Sequence, residues 1–248
     1  MNDTVFCTGD KTYSIKKVET SNTVYIVPKS TSNEYNVNAQ CKEYYELKPI
    51  PGKISRITEL LKNTEYNGVD KESEVDSSLL LTSQELREQI QASDFEYFTA
   101  IKSLGIIELN GKMRIVNPVV IRELIRYVCD TIMENSLDIS NLDFRQLHAE
   151  ISELNENLLL HTLSLVGETV NSSSNRSESI WNLNRSLLAI QTAHYIFQTQ
   201  DPPNGKSWLL DDFMTALTMK TPGSGALQDD ILDGIAIVDN KQQLKYMR

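Results

Sequence analysis

The side chains that most often carry chemistry are present in this chain, and their spacing decides what they can do. His148, His161 and His194 fall in three separate predicted helices, none with a second histidine or a cysteine at ligand spacing, so no zinc site or histidine-based catalytic pair is assembled. Cys7, Cys41 and Cys129 are odd in number and far apart, which fits buried thiols in a reducing compartment and neither a disulfide framework nor a CxxC metal site. The pairs Asp211-Asp212 and Asp229-Asp230 would hold a divalent cation only if their carboxylates converged, and neighbours on a helix point about 100° apart. Pro222-Gly223-Ser224-Gly225 is a turn without the Lys-Ser/Thr of a phosphate cradle, and there is no GxSxG elbow and no GxGxxG after a strand. No enzyme, metal or cofactor is expected. One electrostatic constellation remains: Lys112 and Arg114 alternate outward on a predicted strand, and Arg122 and Arg126 follow at i, i+4 on the next helix, four cations placed where phosphates could be neutralised.

Those cations depend on the elements that carry them. Thr82-Ser83-Gln84-Glu85 and Ser93-Asp94-Phe95-Glu96 are two capping boxes, each opening a helix, the second with Phe95, Phe98, Ile101 and Leu104 on one face. Gly105 serves as a left-handed cap, and Ile106–Leu109 and Lys112–Val116 flank the hairpin turn Asn110-Gly111. Helix, turn, helix, hairpin is the order of a winged helix. Its second helix begins with Asp94 and Glu96, the wrong sign to face phosphate, so a protein-binding role is expected before base readout. Asn117 and Pro118 then open a long helix with Ile121, Leu124, Ile125, Val128 and Ile132 along one stripe.

The pattern partly recurs. Phe144, Leu147 and Ile151 mark a short helix and Leu158–Val166 a second, before a strand at Ile180–Leu183; the run Ser172–Ser174 reads as a polar wing or loop. After the helix bearing Leu187, Leu188, Ile190, Ala193 and Ile196, a third start appears at Trp208–Met219, with a short helix near Leu227–Leu232 and a strand at Ile235–Val238. The N-terminal segment is different in kind. Thr4–Cys7, Thr12–Lys17 and Thr23–Val27 read as strands parted by turns at Gly9-Asp10 and Ser21-Asn22, and Lys48-Pro49-Ile50-Pro51-Gly52 reads as a boundary. Three strands seldom close a core, so further strands are expected, supplied either by an N-terminal part missing here or by a partner; Tyr13, Ile15, Val24, Tyr25, Ile26 and Val27 are the side chains expected to bury against a partner.

The 248 residues carry 24 Lys+Arg against 34 Asp+Glu, a net charge of -10. By segment the charge is 0 for residues 1–48, -4 for 49–136, -5 for 137–205 and -1 for 206–248, so the acidity sits in the middle modules. No window is long and apolar enough to span a membrane, and a soluble intracellular protein is expected.

At this level of detail the chain resembles a family. Cys7-Thr8-Gly9-Asp10-Lys11-Thr12-Tyr13, continuing through Thr20-Ser21-Asn22 to Pro28, is similar to the strand signature of the "defective in sister chromatid cohesion" subunit of the alternative, replication factor C-like clamp loader. Gln89-Ile90-Gln91-Ala92-Ser93 and Leu232-Asp233-Gly234-Ile235-Ala236-Ile237-Val238-Asp239 resemble two further segments of that family, in the same order. The resemblance implies an α+β fold: an N-terminal antiparallel β region, a partial barrel shared with partner subunits (1–48), followed by tandem winged helices at 49–136 and 137–205 and an incomplete one at 206–248. It also implies a nuclear, chromatin-associated, non-catalytic subunit. Its partners are the large clamp-loader subunit and the small companion of the chromosome transmission fidelity group, together with DNA polymerase epsilon. The sliding clamp is engaged indirectly, DNA is secondary and no membrane is involved. The alternative is a winged-helix DNA-binding regulator. The chain starts well inside the family pattern and stops within its last module, as a piece or a shortened form would.

Overall fold

The computed structural model describes residues 4–29, 36–170, 179–203, 205, 207–224, 227, 229–239 and 242–247. They form an α+β structure that divides into two compact units, one built from 1–62 and 81–104, the other from 63–80 and 105–248. The Ser172–Ser174 run lies outside the described residues.

The first unit is an open antiparallel sheet with three helices. Its strands are β1 (Val5–Cys7), β2 (Thr12–Ile26) and β3 (Ala39–Ile50), in the order β1-β2-β3, with no closed barrel among the described residues. Two expectations are corrected. Ser21-Asn22 does not reverse the chain but lies inside the 15-residue strand β2, and Pro49 and Ile50 do not end the sheet but belong to β3, where Pro49 faces Tyr13. Proline lacks the N–H that a central strand needs, and β3 is an edge strand with β2 on one side only, where that loss is tolerated.

Helices α1 (Ser55–Leu61), α2 (Ser83–Glu88) and α3 (Asp94–Ser103) complete this unit, and both expected capping boxes are formed. Ile57, Leu61, Leu86, Ile90, Tyr97 and Ala100 are its buried apolar side chains. In α3 the face bearing Phe95, Phe98 and Leu104 is exposed, and the helix instead packs through Tyr97 and Ala100. Glu96, one and four positions from Tyr97 and Ala100, points the same way, to Thr12 and Gly52.

The Glu96 carboxylate also reaches the sheet. It accepts from Thr12 Oγ1 at 2.6 Å, Ser93 Oγ at 2.7 Å, Gly52 N at 2.8 Å and Ser93 N at 3.1 Å. Thr12 Oγ1 in turn accepts from Ser93 N at 2.8 Å, and Phe95 N donates to Gly9 O. Gly52 is required by contact: a Cβ there would lie 2.5 Å from the Ala92 Cβ and 3.0 Å from its Cα. Burial disfavours the charged form of Glu96, but the bonds from Thr12, Ser93 and Gly52 outweigh it and hold the carboxyl down to about 2.

The second unit begins with a hairpin, β4 (Ile106–Leu109) and β5 (Lys112–Ile115), turned by Asn110 and Gly111 with φ of 51° and 77°. Helix α4 (Pro118–Glu134) follows, its first turn capped by Asn117. Then come β6 (Leu142–Asp143), α5 (Phe144–Glu150), α6 (Glu156–Val166), β7 (Gly167–Thr169) and β8 (Ile180–Leu183), with sheet order β6-β8-β7. Helix α7 (Arg185–Thr199), β9 (Trp208–Leu209), α8 (Leu210–Lys220), β10 (Ala236–Val238) and β11 (Gln243–Tyr246) complete it, the last sheet running β10-β11-β9. The α4 stripe, Ile121, Ile125, Val128 and Ile132, is buried with Phe144, Leu147, Leu163 and Trp181 in one core. Helix α7 serves two cores, Leu188 joining the first while Ala189, Ala193 and Ile196 meet Trp208, Phe213 and Leu244 in the second.

The stretch from Asn63 to Ser78 contains short 3-10 turns and is fastened to the hairpin. Tyr66 forms a parallel bridge with Val116. Arg114 does not point outward as expected. It is 2% exposed, and its fork holds Glu72 at 2.8 and 3.0 Å while also donating to the Thr64 and Glu65 carbonyls. The four-residue strand alternates, with Met113 and Arg114 both buried because the segment at 63–80 covers the face on which Arg114 projects.

Two outcomes follow for stability. Glu96 has a folded-state pKa below its ordinary 4.5, so its contribution is complete above that value and is lost as pH falls toward about 2. Glu96→Gln should cost about 1–3 kcal/mol at neutral pH, and the gap to wild type should narrow below pH 4.5, read by urea titration of the α3 amide signals. Arg114→Ala removes a donor from the half-exposed Glu72 carboxylate and from the Thr64 and Glu65 carbonyls and should cost about 1–3 kcal/mol. Because Trp181 and Trp208 both lie in the second unit, its unfolding can be followed by tryptophan fluorescence.

Candidate protein-docking surface

Residues opposite one another in an antiparallel ladder share a face. The register pairs Tyr13 with Pro49, Ile15 with Leu47 and Lys17 with Tyr45, and pairs Phe6 with Tyr13, so these side chains project from one side of the first unit's sheet. Beyond Glu19, opposite Glu43, the register shifts, and Val24 is opposite Cys41 and Ile26 opposite Ala39. β2 thus advances five positions while β3 advances two. That odd excess of residues flips the alternation of β2, which places Val24 and Ile26 on the same face as Tyr13 and Ile15. Without the bulge the two apolar sets would point to opposite sides.

The face so assembled is open. Phe6, Val24, Ile26, Tyr45 and Leu47 are all exposed, Tyr45 to 66% and Ile26 to 53%, while Tyr13, Ile15 and Cys41 are half-buried. Phe6 and Tyr13 rest ring against ring at 6.4 Å. Between the two apolar ends, Lys17 forms ion pairs with Glu43 at 2.6 Å and Glu19 at 3.6 Å. The Glu43 carboxylate holds the Lys17 ammonium above its ordinary pKa. Exposed apolar side chains gathered on one face, with charge between them, are characteristic of an interaction site. Tyr25, also exposed, projects from the opposite face, and Val27 lies just past the end of β2 and is exposed too.

Tyr13, Ile15, Val24 and Ile26 are therefore brought together, while Tyr25 is not. Sequence reading missed Tyr45, Leu47 and Cys41 because β3 was not expected. The signal was present: Cys41, Glu43, Tyr45 and Leu47 alternate with Lys42, Tyr44, Glu46 and Lys48. The prolines at 49 and 51 drew attention to a boundary instead.

The four cations expected to meet phosphate do not form an outward patch. Besides the buried Arg114, Lys112 Nζ donates to Leu80 O, Arg122 Nε to Gln198, and Arg126 to Lys220 O and to Asp130. The histidines are also engaged separately. His148 Nε2 lies 3.2 Å from Leu154 O with its ring on Phe144, and His194 Nδ1 meets the Tyr246 hydroxyl at 3.0 Å. Burial lowers the pKa of His161, and burial with the Arg122 charge lowers that of His194. Cys129 is buried, which pushes its thiol up to about 12 and leaves it inert. Among the described residues no three His, Cys, Asp or Glu side chains gather as a metal site, and no helix is long and apolar enough to cross a membrane.

Comparison with known proteins places the chain in a family. The family model described as Sister chromatid cohesion protein Dcc1 matches residues 1–248. Curated relatives named Sister chromatid cohesion protein DCC1 include those of Homo sapiens, 25% identical over 95% of this chain, and Xenopus tropicalis, 24% identical over 95%. That of Mus musculus is 23% identical over 96%. In each case the chain spans 62% of the relative's length. With the family model matched from end to end, the chain belongs to the sister chromatid cohesion protein Dcc1 family.

Proposed function

We propose that this chain is a non-catalytic, nuclear subunit of an alternative, replication factor C-like clamp-loader complex acting in sister chromatid cohesion and DNA replication. The observation that carries the reading is the exposed apolar face of the β1-β2-β3 sheet in a chain of this family. An open sheet with a long edge strand is completed by strands from elsewhere, and β3 offers 12 residues of edge. The occupants we assign are the large clamp-loader subunit and the small companion of the chromosome transmission fidelity group.

The second unit supplies the other half of an adaptor. We read the order α4, β6, α5, α6, β7, β8, with sheet order β6-β8-β7, as a winged helix, and α7, β9, α8, β10, β11, with β10-β11-β9, as its repeat. We assign these modules to contact with DNA polymerase epsilon, with the sliding clamp engaged only through the loader. The engagement of Arg114 and Arg126 by carboxylates and carbonyls of the chain itself favours a protein partner over a phosphate backbone as the main contact, which disfavours an independent DNA-binding regulator.

Co-expression with the two clamp-loader subunits tests the reading. A stable ternary complex is expected, and Ile26→Glu or Leu47→Glu, each putting a carboxylate into the docked face, should weaken it about tenfold or more, the equivalent of about 1.4 kcal/mol. Gln40→Glu, on the opposite face, should assemble like wild type. Failure of the wild-type chain to assemble, or unchanged assembly of the two face variants, would overturn the assignment.

A further inference from the structure

Ser73 lies in the exposed 3-10 segment Val69–Glu74, between Glu72 and Glu74, with Asp70 three residues before it and Asp76 three residues after. A hydroxyl with carboxylates at the next and third following positions is the pattern that a kinase with a cationic substrate groove selects by charge. The full spacing recurs at Ser93, followed by Asp94 and Glu96; the third carboxylate alone recurs at Thr82 before Glu85, at the buried Thr131 before Glu134 and at the exposed Ser140 before Asp143, none with an acid at the next position except Ser93. At Ser93 and Thr82 the hydroxyl is already spent. Ser93 Oγ is buried between the Glu96 carboxylate and amide, and Thr82 Oγ1 accepts from Glu85 N. A capping box and an acid-directed acceptor look alike in sequence, and accessibility separates them.

The surroundings of Ser73 add an independent reason. Its neighbour Glu72 occupies the two-pronged fork of Arg114, a buried guanidinium whose geometry suits phosphate as well as carboxylate. Asp76, fully exposed, accepts from Ser78 N and Ser78 Oγ, which hold its carboxyl below the usual range.

We propose that Ser73 is a phosphorylation site for an acid-directed Ser/Thr kinase and that the added phosphate loosens the Glu72–Arg114 clasp. Ser73 Oγ attacks the γ-phosphorus of a nucleoside triphosphate, forming the O–P bond as the bond to the β-phosphate oxygen breaks. The hydroxyl proton passes to a kinase base and the nucleoside diphosphate leaves. The product carries about two further negative charges beside Glu72 and near the C-terminal end of the 3-10 segment, where both like-charge repulsion and the backbone dipole oppose it, and it competes with Glu72 for the Arg114 fork.

The test treats the full chain with casein kinase II and ATP, maps the phosphate by mass spectrometry and then measures hydrogen exchange. One phosphate at Ser73 is expected, absent in Ser73→Ala. Asp76→Asn, which retains a capping side chain and loses the charge, should slow the reaction about tenfold or more. Exchange at 69–74 should quicken about tenfold in the phosphorylated chain while the α4 amides stay protected. Equal labelling of Ser73→Ala, an unchanged rate for Asp76→Asn, or unaltered exchange at 69–74 would each overturn the proposal.

Discussion

The first unit depends on one carboxylate. A sheet with one exposed apolar face has little core of its own to fix it against helices, and three strands with half their surface open are marginal in water. Glu96 supplies a directional substitute. It gathers β2 through Thr12, the end of β3 through Gly52, and the start of α3 through Ser93. Because a carboxylate that receives several short hydrogen bonds strongly favours its charged form, the node holds at any pH near neutrality. It also explains why Thr12 and Ser93, 81 residues apart, lie in two of the segments by which the family resemblance is recognised: one side chain needs both.

That arrangement was only partly legible beforehand. Both capping boxes, the Asn110-Gly111 hairpin, the long helix α4 and the helices around Phe144 and Leu158 follow from local signals, and all are present. The failures share a cause. Ser21 and Asn22 have turn chemistry, but small polar residues also mark a place where a ladder skips positions, and only the partner strand distinguishes a bulge from a reversal. β3 was hidden by its prolines, which are excluded from central strands but not from edges. The outward Phe95 and Phe98 and the inward Arg114 were misplaced because periodicity says which residues share a face, not which way that face points.

The bulge shows how register alone creates a binding surface. An even number of extra residues would have preserved the alternation of β2 and divided its apolar side chains between two faces, each too sparse to hold a partner. The odd excess concentrates them, and β3 adds Tyr45 and Leu47 to the same side. The Lys17 ion pairs with Glu43 and Glu19 contribute little stability at the surface, but they interrupt the apolar face with charge that any occupant must match. Specificity and solubility are thereby supplied by the same three side chains.

Charge tells the same story on the scale of the chain. A net charge of -10 argues against a nucleic-acid footprint, yet local cation clusters can override bulk charge, and four were present near the hairpin. What decides is where their donors go. Arg114 clasps Glu72 and two carbonyls, Arg126 reaches the carbonyl of Lys220, the last residue of α8, and Arg185 reaches the carbonyls of Pro222 and Ser224. Arginine forks are used here as clasps for irregular backbone, whose carbonyls no ladder satisfies. Guanidinium groups spent in this way hold irregular segments to the helices and the hairpin beside them, and they are committed to the chain's own carbonyls and carboxylates.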